Sequence, residues 1–313
     1  MIGTVPLGST DVRVSELALG TMYMGSRLED SVSEAIIDVY MAQGGFFLDT
    51  ANNYAHWLEG CDGSESERFL GRWLKRSGKR AQVFLATKVG FDKRGGGRGL
   101  RARQIMENCE SSLRHLQTDV IDLYYAHTDD RNTPLEESLE AFERLRRQGK
   151  VRYLGASNYT PWRMEEALHV FAKMNVQPYL CLQERFTYLR PRPAKMDRFH
   201  IDLSDDVMDY AQARGLTLLA YSPLLQGFYS DSSRPIPPLC NGDFNRERLA
   251  VLCDVARELG NVSLNQLVLK WMRLQPATVI PLISGDNPGQ VEENIRSLDL
   301  TLTSEQLMRL NEA

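Results

Sequence analysis

Short apolar runs and amphipathic stretches alternate along this chain with a steady rhythm. The apolar runs are SELALGT, FFLDT, VFLATK, VIDLYYAH, YLGASN, YLCLQER, LTLLAYS and TVIPLI, each compact enough to be a strand. Between them apolar positions recur at helical spacing, predicting helices over about residues 33–42, 65–75, 101–116, 135–147, 162–171, 205–213, 265–272 and 290–297. Strands that are nearly continuously apolar, each followed by an amphipathic helix, imply a parallel sheet covered by helices on its outer face. Eight such units close on themselves, so the expected fold is α/β, a (β/α)8 TIM barrel preceded by a short N-terminal β-hairpin. No linker interrupts residues 1–313, and barrels of this length are commonly one domain.

Three stretches break the rhythm: 55–64, 186–203 with Pro191 and Pro193, and 224–245, rich in Pro, Gly, Ser and Asp. All follow strands, and in a barrel the loops on that face build the site. A tolerated surface insertion is the plainer alternative for any one of them.

Composition narrows the partners. Hydrophobic residues make up 42% and charged residues 25%, ordinary for a globular chain with a full core. A formal charge of −4 offers no broad attraction to nucleic acid or anionic lipid, which leaves a small molecule as the expected partner. Cys61, Cys109, Cys181, Cys240 and Cys253 are odd in number and scattered, with neither a disulfide framework nor a zinc spacing, which suits a reducing compartment. With no leader-like N-terminus and no long apolar run, the expectation is a cytoplasmic protein; oligomeric state is not legible.

Four residues at strand ends carry the chemistry: Asp49 and Tyr54 in FLDTANNY, Lys88 in VFLATKVG, and His127 in VIDLYYAH. Singly each has a dull reading, as a strand-end cap, a loop aromatic, a solvated rim charge and a structural histidine. Projecting from one rim they form a site. In type, order and position they resemble the Asp, Tyr, Lys, His tetrad of the aldo-keto reductases, and the likeness runs from LGSTDVRVSELALGT to VIPLISGDNPGQVEENI. The resemblance implies reduction of an aldehyde or ketone by hydride from a nicotinamide cofactor. Negative charge then develops on oxygen, so a proton donor and an electropositive wall are needed. Tyr54 would donate the proton, Lys88 would lower its pKa by favouring phenolate, Asp49 would keep Lys88 charged, and His127 would orient the carbonyl.

The resemblance also implies a cofactor wall. Ser157 and Asn158 match the positions that hold the nicotinamide carboxamide, with Gln183 as their partner, and Tyr221 matches the aromatic stacked on the nicotinamide ring. Ser222, Leu224 and Gly227 resemble the pyrophosphate loop. Ser284, Gly285, Asp286, Asn287, Gln290 and Asn294 match the adenosine-phosphate end, where a helix starting near Gly289 would offer amides. No GxGxxG follows a strand; the glycine run at 95–99 lacks that spacing. No Arg or Lys lies between Leu282 and Glu293, and Asp286 would repel a 2′-phosphate while accepting a ribose hydroxyl, as in NAD sites. The resemblance favours NADP(H) and the local chemistry NAD(H) or dual use; NADP(H) stays narrowly ahead, because Asp286 can point to solvent and Arg246 or Arg248 from the long loop can reach the phosphate.

Met22, Tyr23, His56, Trp57 and Phe91 are the expected substrate-facing residues, and aromatics mixed with polar groups suit a sugar-like carbonyl compound. Asp129, Asp130 and Arg131 beside His127 read equally well as a solvated rim. Two alternatives stand beside the reductase: a nicotinamide redox-sensing barrel, as the potassium-channel β-subunits of this family are, and an aldolase using Lys88 as a Schiff-base nucleophile.

Overall fold

The computed structural model describes residues 1–91, 98–192, 200–231 and 234–313. Pro193 and most of the glycine run at 95–99 lie outside the described residues. The elements in chain order are β1 (Thr4–Pro6), β2 (Arg13–Ser15), β3 (Ala18–Gly20), α1 (Asp30–Ala42), β4 (Phe47–Asp49), α2 (Glu65–Ser77), β5 (Phe84–Val89) and α3 (Ala102–Leu116). They continue with β6 (Ile121–Ala126), α4 (Leu135–Arg147), β7 (Val151–Ser157), α5 (Pro161–Met174), β8 (Cys181–Arg185), α6 (Asp205–Arg214) and β9 (Thr217–Tyr221). The last are α7 (Asp243–Glu258), α8 (Leu264–Arg273), β10 (Val279–Ile283), α9 (Pro288–Ile295) and α10 (Ser304–Glu312).

Strands β3 to β10 close a parallel barrel in which β10 pairs with both β9 and β3, and β1–β2 form the expected antiparallel hairpin. Period-two alternation decides what each strand residue does. Outward positions such as Leu48, Leu85, Tyr124, Leu154, Leu182 and Leu218 pack under the helices. Inward positions Phe47, Phe84, Ala86, Leu123, Tyr125, Cys181, Leu219 and Ile280 fill the barrel, and Leu7 and Val14 from the hairpin close its floor. One inward step further along the same strands stand Asp49, Lys88 and Gln183. The apolar plug therefore ends where the site begins.

Two helices escape the hydrophobic pattern. α7 starts at Asp243, inside the stretch expected to be loop, and α10 follows Thr303, whose side chain accepts from Gln306 N while its own N–H donates to Gln306 Oε1. α7 keeps its buried polar residues, Asn245 and Arg248, on the face that would otherwise read as apolar. The remaining long stretch holds short 3-10 turns at Leu225–Ser230 and Pro238–Cys240. No helix among the described residues is long and apolar enough to cross a membrane.

Gly155 on β7 marks a close approach inside the plug. A methyl group there would lie 2.8 Å from both the Tyr125 ring and Cys181 Sγ. Gly155→Ala is therefore expected to lower stability by about 1–3 kcal/mol through overpacking. Chemical denaturation of the two proteins checks this, and an unchanged midpoint would show that Tyr125 has room to move.

Candidate active site

Lys88 is fully buried, so the reading of it as a rim charge fails. Its ammonium donates three hydrogen bonds: to Asp49 Oδ1, to the Thr50 carbonyl at 2.7 Å and to the Tyr54 hydroxyl at 2.7 Å. Asp49 is buried too, and its second oxygen accepts from Gln183 Nε2 at 3.0 Å. A buried ion pair stands only if its remaining valences are filled, and here they are. The end of β4 is fixed by a hydroxyl cluster that the sequence did not betray: Thr21 Oγ1 donates to Asp49 O at 3.0 Å, and Ser66 Oγ lies 2.9 Å from Thr21 Oγ1 and 2.8 Å from Thr50 Oγ1. Beyond Tyr54, Glu65 at the start of α2 accepts the amides of Asp62 and Gly63 at 2.8 and 2.9 Å, folding residues 55–64 back on themselves.

The electrostatics revise one expectation. Burial, and then the Asp49 carboxylate, hold the Tyr54 hydroxyl well above the ordinary phenol pKa, instead of Lys88 drawing it down. With Asp49 compensating the Lys88 charge, Tyr54 is a fully protonated phenol at neutral pH. Burial also lowers the Lys88 pKa, against the opposing pull of Asp49. His127 lies beside Tyr54, with ring centroids 6.2 Å apart, and burial followed by the Lys88 charge pushes its pKa well below the usual histidine value. It is a neutral imidazole whose buried Nδ1 has no hydrogen-bond partner. The pocket thus pairs a hydroxyl that still owns its proton with a neutral, polarisable donor.

Beside this cluster Asn158 adopts a left-handed backbone, with φ of 58°. Its side-chain amide donates to the His127 carbonyl and Ser157 Oγ, both at 3.0 Å, and accepts from Ile201 N at 3.0 Å and the Tyr221 hydroxyl at 2.9 Å. Gln183 departs from expectation: its side chain serves Asp49, and only its backbone carbonyl meets Asn158, accepting that residue's N–H at 3.2 Å. The strand pairing sets this, because Ser157 and Gln183 are register partners with side chains side by side.

The family profile described as the Aldo/keto reductase family matches residues 16–313. The chain belongs to the aldo/keto reductases. It is 33% identical over 320 residues to the uncharacterized oxidoreductase YrpG of Bacillus subtilis, covering 98% of this chain and 94% of that one. It is 29% identical to the aldo-keto reductase YhdN of the same species, across 97% of this chain and 91% of YhdN. Norsolorinic acid reductase of Aspergillus flavus is 27% identical, with 97% of this chain and 79% of that enzyme covered.

In this aldo/keto reductase the remaining expected residues gather around the same mouth. Phe91 stands edge-on to His127 at 4.7 Å and stacks on His200 at 5.7 Å, and His200 reaches Tyr221 at 6.2 Å. His200 carries no sequence signal, since it comes from an irregular loop. Trp57 is exposed and meets His56 edge-on at 5.1 Å. Asp129 pairs with Arg163 and Arg131, and Asp130 accepts from Leu100 N and Thr133, so these carboxylates serve the rim's own structure.

The stretch expected at the adenosine-phosphate end leads from β10 into α9. Asn287 caps α9 by accepting from Gln290 N at 3.1 Å, and Gln290 Oε1 accepts Asp286 N at 2.7 Å. Asn294 Nδ2 donates to Ser284 O at 3.0 Å while its buried Oδ1 has no hydrogen-bond partner. After Tyr221, Ser222 and then Leu225, Gln226 and Gly227 all take positive φ, the Leu225 and Gly227 amides bond back to the carbonyls of Ser222 and Leu224 at 3.3 and 3.0 Å, and Arg234 Nη1 lies 3.4 Å from Gln226 O. The two arginines expected to reach a phosphate do not. Arg248 is buried, bonded to the carbonyls of Tyr188 and Ala313, and Arg246 points into solvent beside Asp243. The cation found at Asp286 is instead Arg27, from the loop after β3.

Proposed function

We propose that this protein reduces an aldehyde or ketone to the alcohol, with Tyr54 as the proton donor. The observation that carries the reading is the buried Lys88 ammonium bound at once to Asp49 and Tyr54, with neutral His127 alongside. When bound, a reduced nicotinamide dinucleotide would supply the hydride for the carbonyl carbon. The oxygen that gains the electron pair is met by the Tyr54 proton and a His127 N–H, while Lys88 stabilises the phenolate left behind. Ser157, Asn158 and Gln183 form the wall for the nicotinamide carboxamide, and Tyr221 the ring face.

One feature fits such a group: the buried, unpartnered Asn294 Oδ1 would accept a hydrogen bond from an adenine amine. NADP(H) is the preferred cofactor, with NAD(H) close behind. A Schiff-base role for Lys88 is disfavoured because all three ammonium hydrogens are donated. Rings at Phe91, His200, Tyr221 and Trp57 suit a substrate with a flat or ring-shaped body, sugar-like or aromatic; one relative, from Pestalotiopsis microspora, is named an aryl-alcohol dehydrogenase.

The test is consumption of NADPH and NADH with aldoses and aryl aldehydes as acceptors. The expected result is turnover with at least one pair, and a rate profile with no inflection near pH 6.5, because the depressed His127 pKa keeps the imidazole neutral well below that value. Binding of dinucleotide without turnover would favour the redox-sensing alternative. A rate that falls on acidification through pH 6.5 would remove neutral His127 from the reading.

A further inference from the structure

We propose that Arg27 is the cation that meets the 2′-phosphate of the dinucleotide, and that its ion pair with Asp286 sets the preference between phosphorylated and unphosphorylated cofactor. This rests on the dinucleotide reading above. In (β/α)8 barrels phosphate groups are frequently bound by the loops after the seventh and eighth strands, with the N-terminus of a short following helix. Here those loops follow β9 and β10, and the second runs through Asp286 into α9. That loop contains no cation of its own.

Closure of the barrel supplies one. Because β10 pairs with β3, the loop after β3 lies alongside, and Arg27 Nη2 comes within 4.0 Å of Asp286 Oδ2. The arginine is presented from a built turn. Gly25 takes φ of 74° where a side chain would strike the Glu65 carbonyl and Phe69 at 2.7 Å, and the N–H groups of Ser26 and Leu28 both bond to Tyr23 O. The Arg27 guanidinium lies over the Tyr23 ring, 5.3 Å from its centroid. An exposed guanidinium has in-plane N–H donors that match a phosphate's oxygens.

The partner is loosely held. Side chains of Arg27 and Asp286 are 59% and 61% exposed, and an exposed pair at this separation contributes little, so a dianionic phosphate outcompetes the carboxylate. Asp286 then acts as a competitor, lowering affinity for the phosphorylated dinucleotide without forbidding it. Arg234 is bonded to Gln226 O and paired with Asp231, away from Asp286 in sequence, and is not invoked for the discrimination.

Fluorescence titration of the full-length protein with NADPH and with NADH, at low and at high salt, tests the assignment. Arg27→Gln is expected to weaken NADPH about tenfold and NADH less than about twofold, with the difference shrinking in high salt. Asp286→Asn is expected to tighten NADPH several-fold. Equal loss of both dinucleotides, or an unchanged ratio in Arg27→Gln, overturns the role of Arg27 while leaving the oxidoreductase reading intact. If Asp286→Asn weakens NADH and leaves NADPH unchanged, Asp286 is a ribose ligand and the competition is overturned. Binding of neither dinucleotide to the unmodified protein overturns both this inference and the reading beneath it.

Discussion

Replacing Tyr54 with phenylalanine is expected to lower kcat for carbonyl reduction by about a hundred- to ten-thousandfold, the usual worth of a positioned general acid. Dinucleotide affinity should stay within about twofold. The ring keeps its place over the Lys88 ammonium, 4.8 Å from the ring centroid, so the walls of the site persist and only the transferable proton is lost. Lys88 loses one of its three acceptors but keeps Asp49 and the Thr50 carbonyl. The structure therefore predicts a loss in kcat far larger than any change in thermal stability. Steady-state kinetics beside cofactor titration separates these terms, and a variant with near-normal kcat would require another proton donor.

The second large effect is on stability. Asp49→Asn leaves Lys88 a buried ammonium with no counter-charge and turns a carboxylate that accepts from Gln183 into an amide facing the Gln183 amide. Breaking such a buried pair costs about 3–5 kcal/mol. The sign of the pH dependence follows from Lys88. Its folded pKa is already lowered by burial, and Asp49 is the term that opposes the shift, so the variant lowers it further. The unfolded chain then binds more protons than the folded one below the unfolded lysine pKa, so stability rises with pH up to about 10.4. Urea unfolding at pH 7 and pH 9.5 should show Asp49→Asn recovering part of its loss at the higher pH. Adding Lys88→Met should recover more, because it removes the stranded charge. A double variant less stable than Asp49→Asn would mean that the ion pair is not the source of the loss.

Much of this molecule was legible from its sequence, and what was missed has common causes. All eight barrel strands and the helix from Leu135 to Arg147 were readable because each buries an apolar face whose period matches its geometry. The helices α7 and α10 were not. The first buries Arg248 and Asn245 as hydrogen-bonded polar groups, and the second shows solvent most of its surface, so neither carries a clean apolar stripe. Asp49, Lys88 and His127 stood out because they lie at or just past the ends of apolar strands, and Tyr54 because it follows Asp49 in FLDTANNY. His200, Arg27 and the Thr21, Ser66, Thr50 cluster were not, since each depends on a neighbour distant in sequence.

By itself, then, the sequence determined the alternation of strand and helix and the family. Local periodicity and motif order are properties of adjacent residues. Only the tertiary structure decided that Lys88 is wholly buried, that Gln183 serves Asp49, that burial raises the Tyr54 pKa where a nearby ammonium was expected to lower it, and that Arg27 meets Asp286. Burial and long-range pairing arise when β10 closes against β3, and no window along the chain contains both sides of that seam.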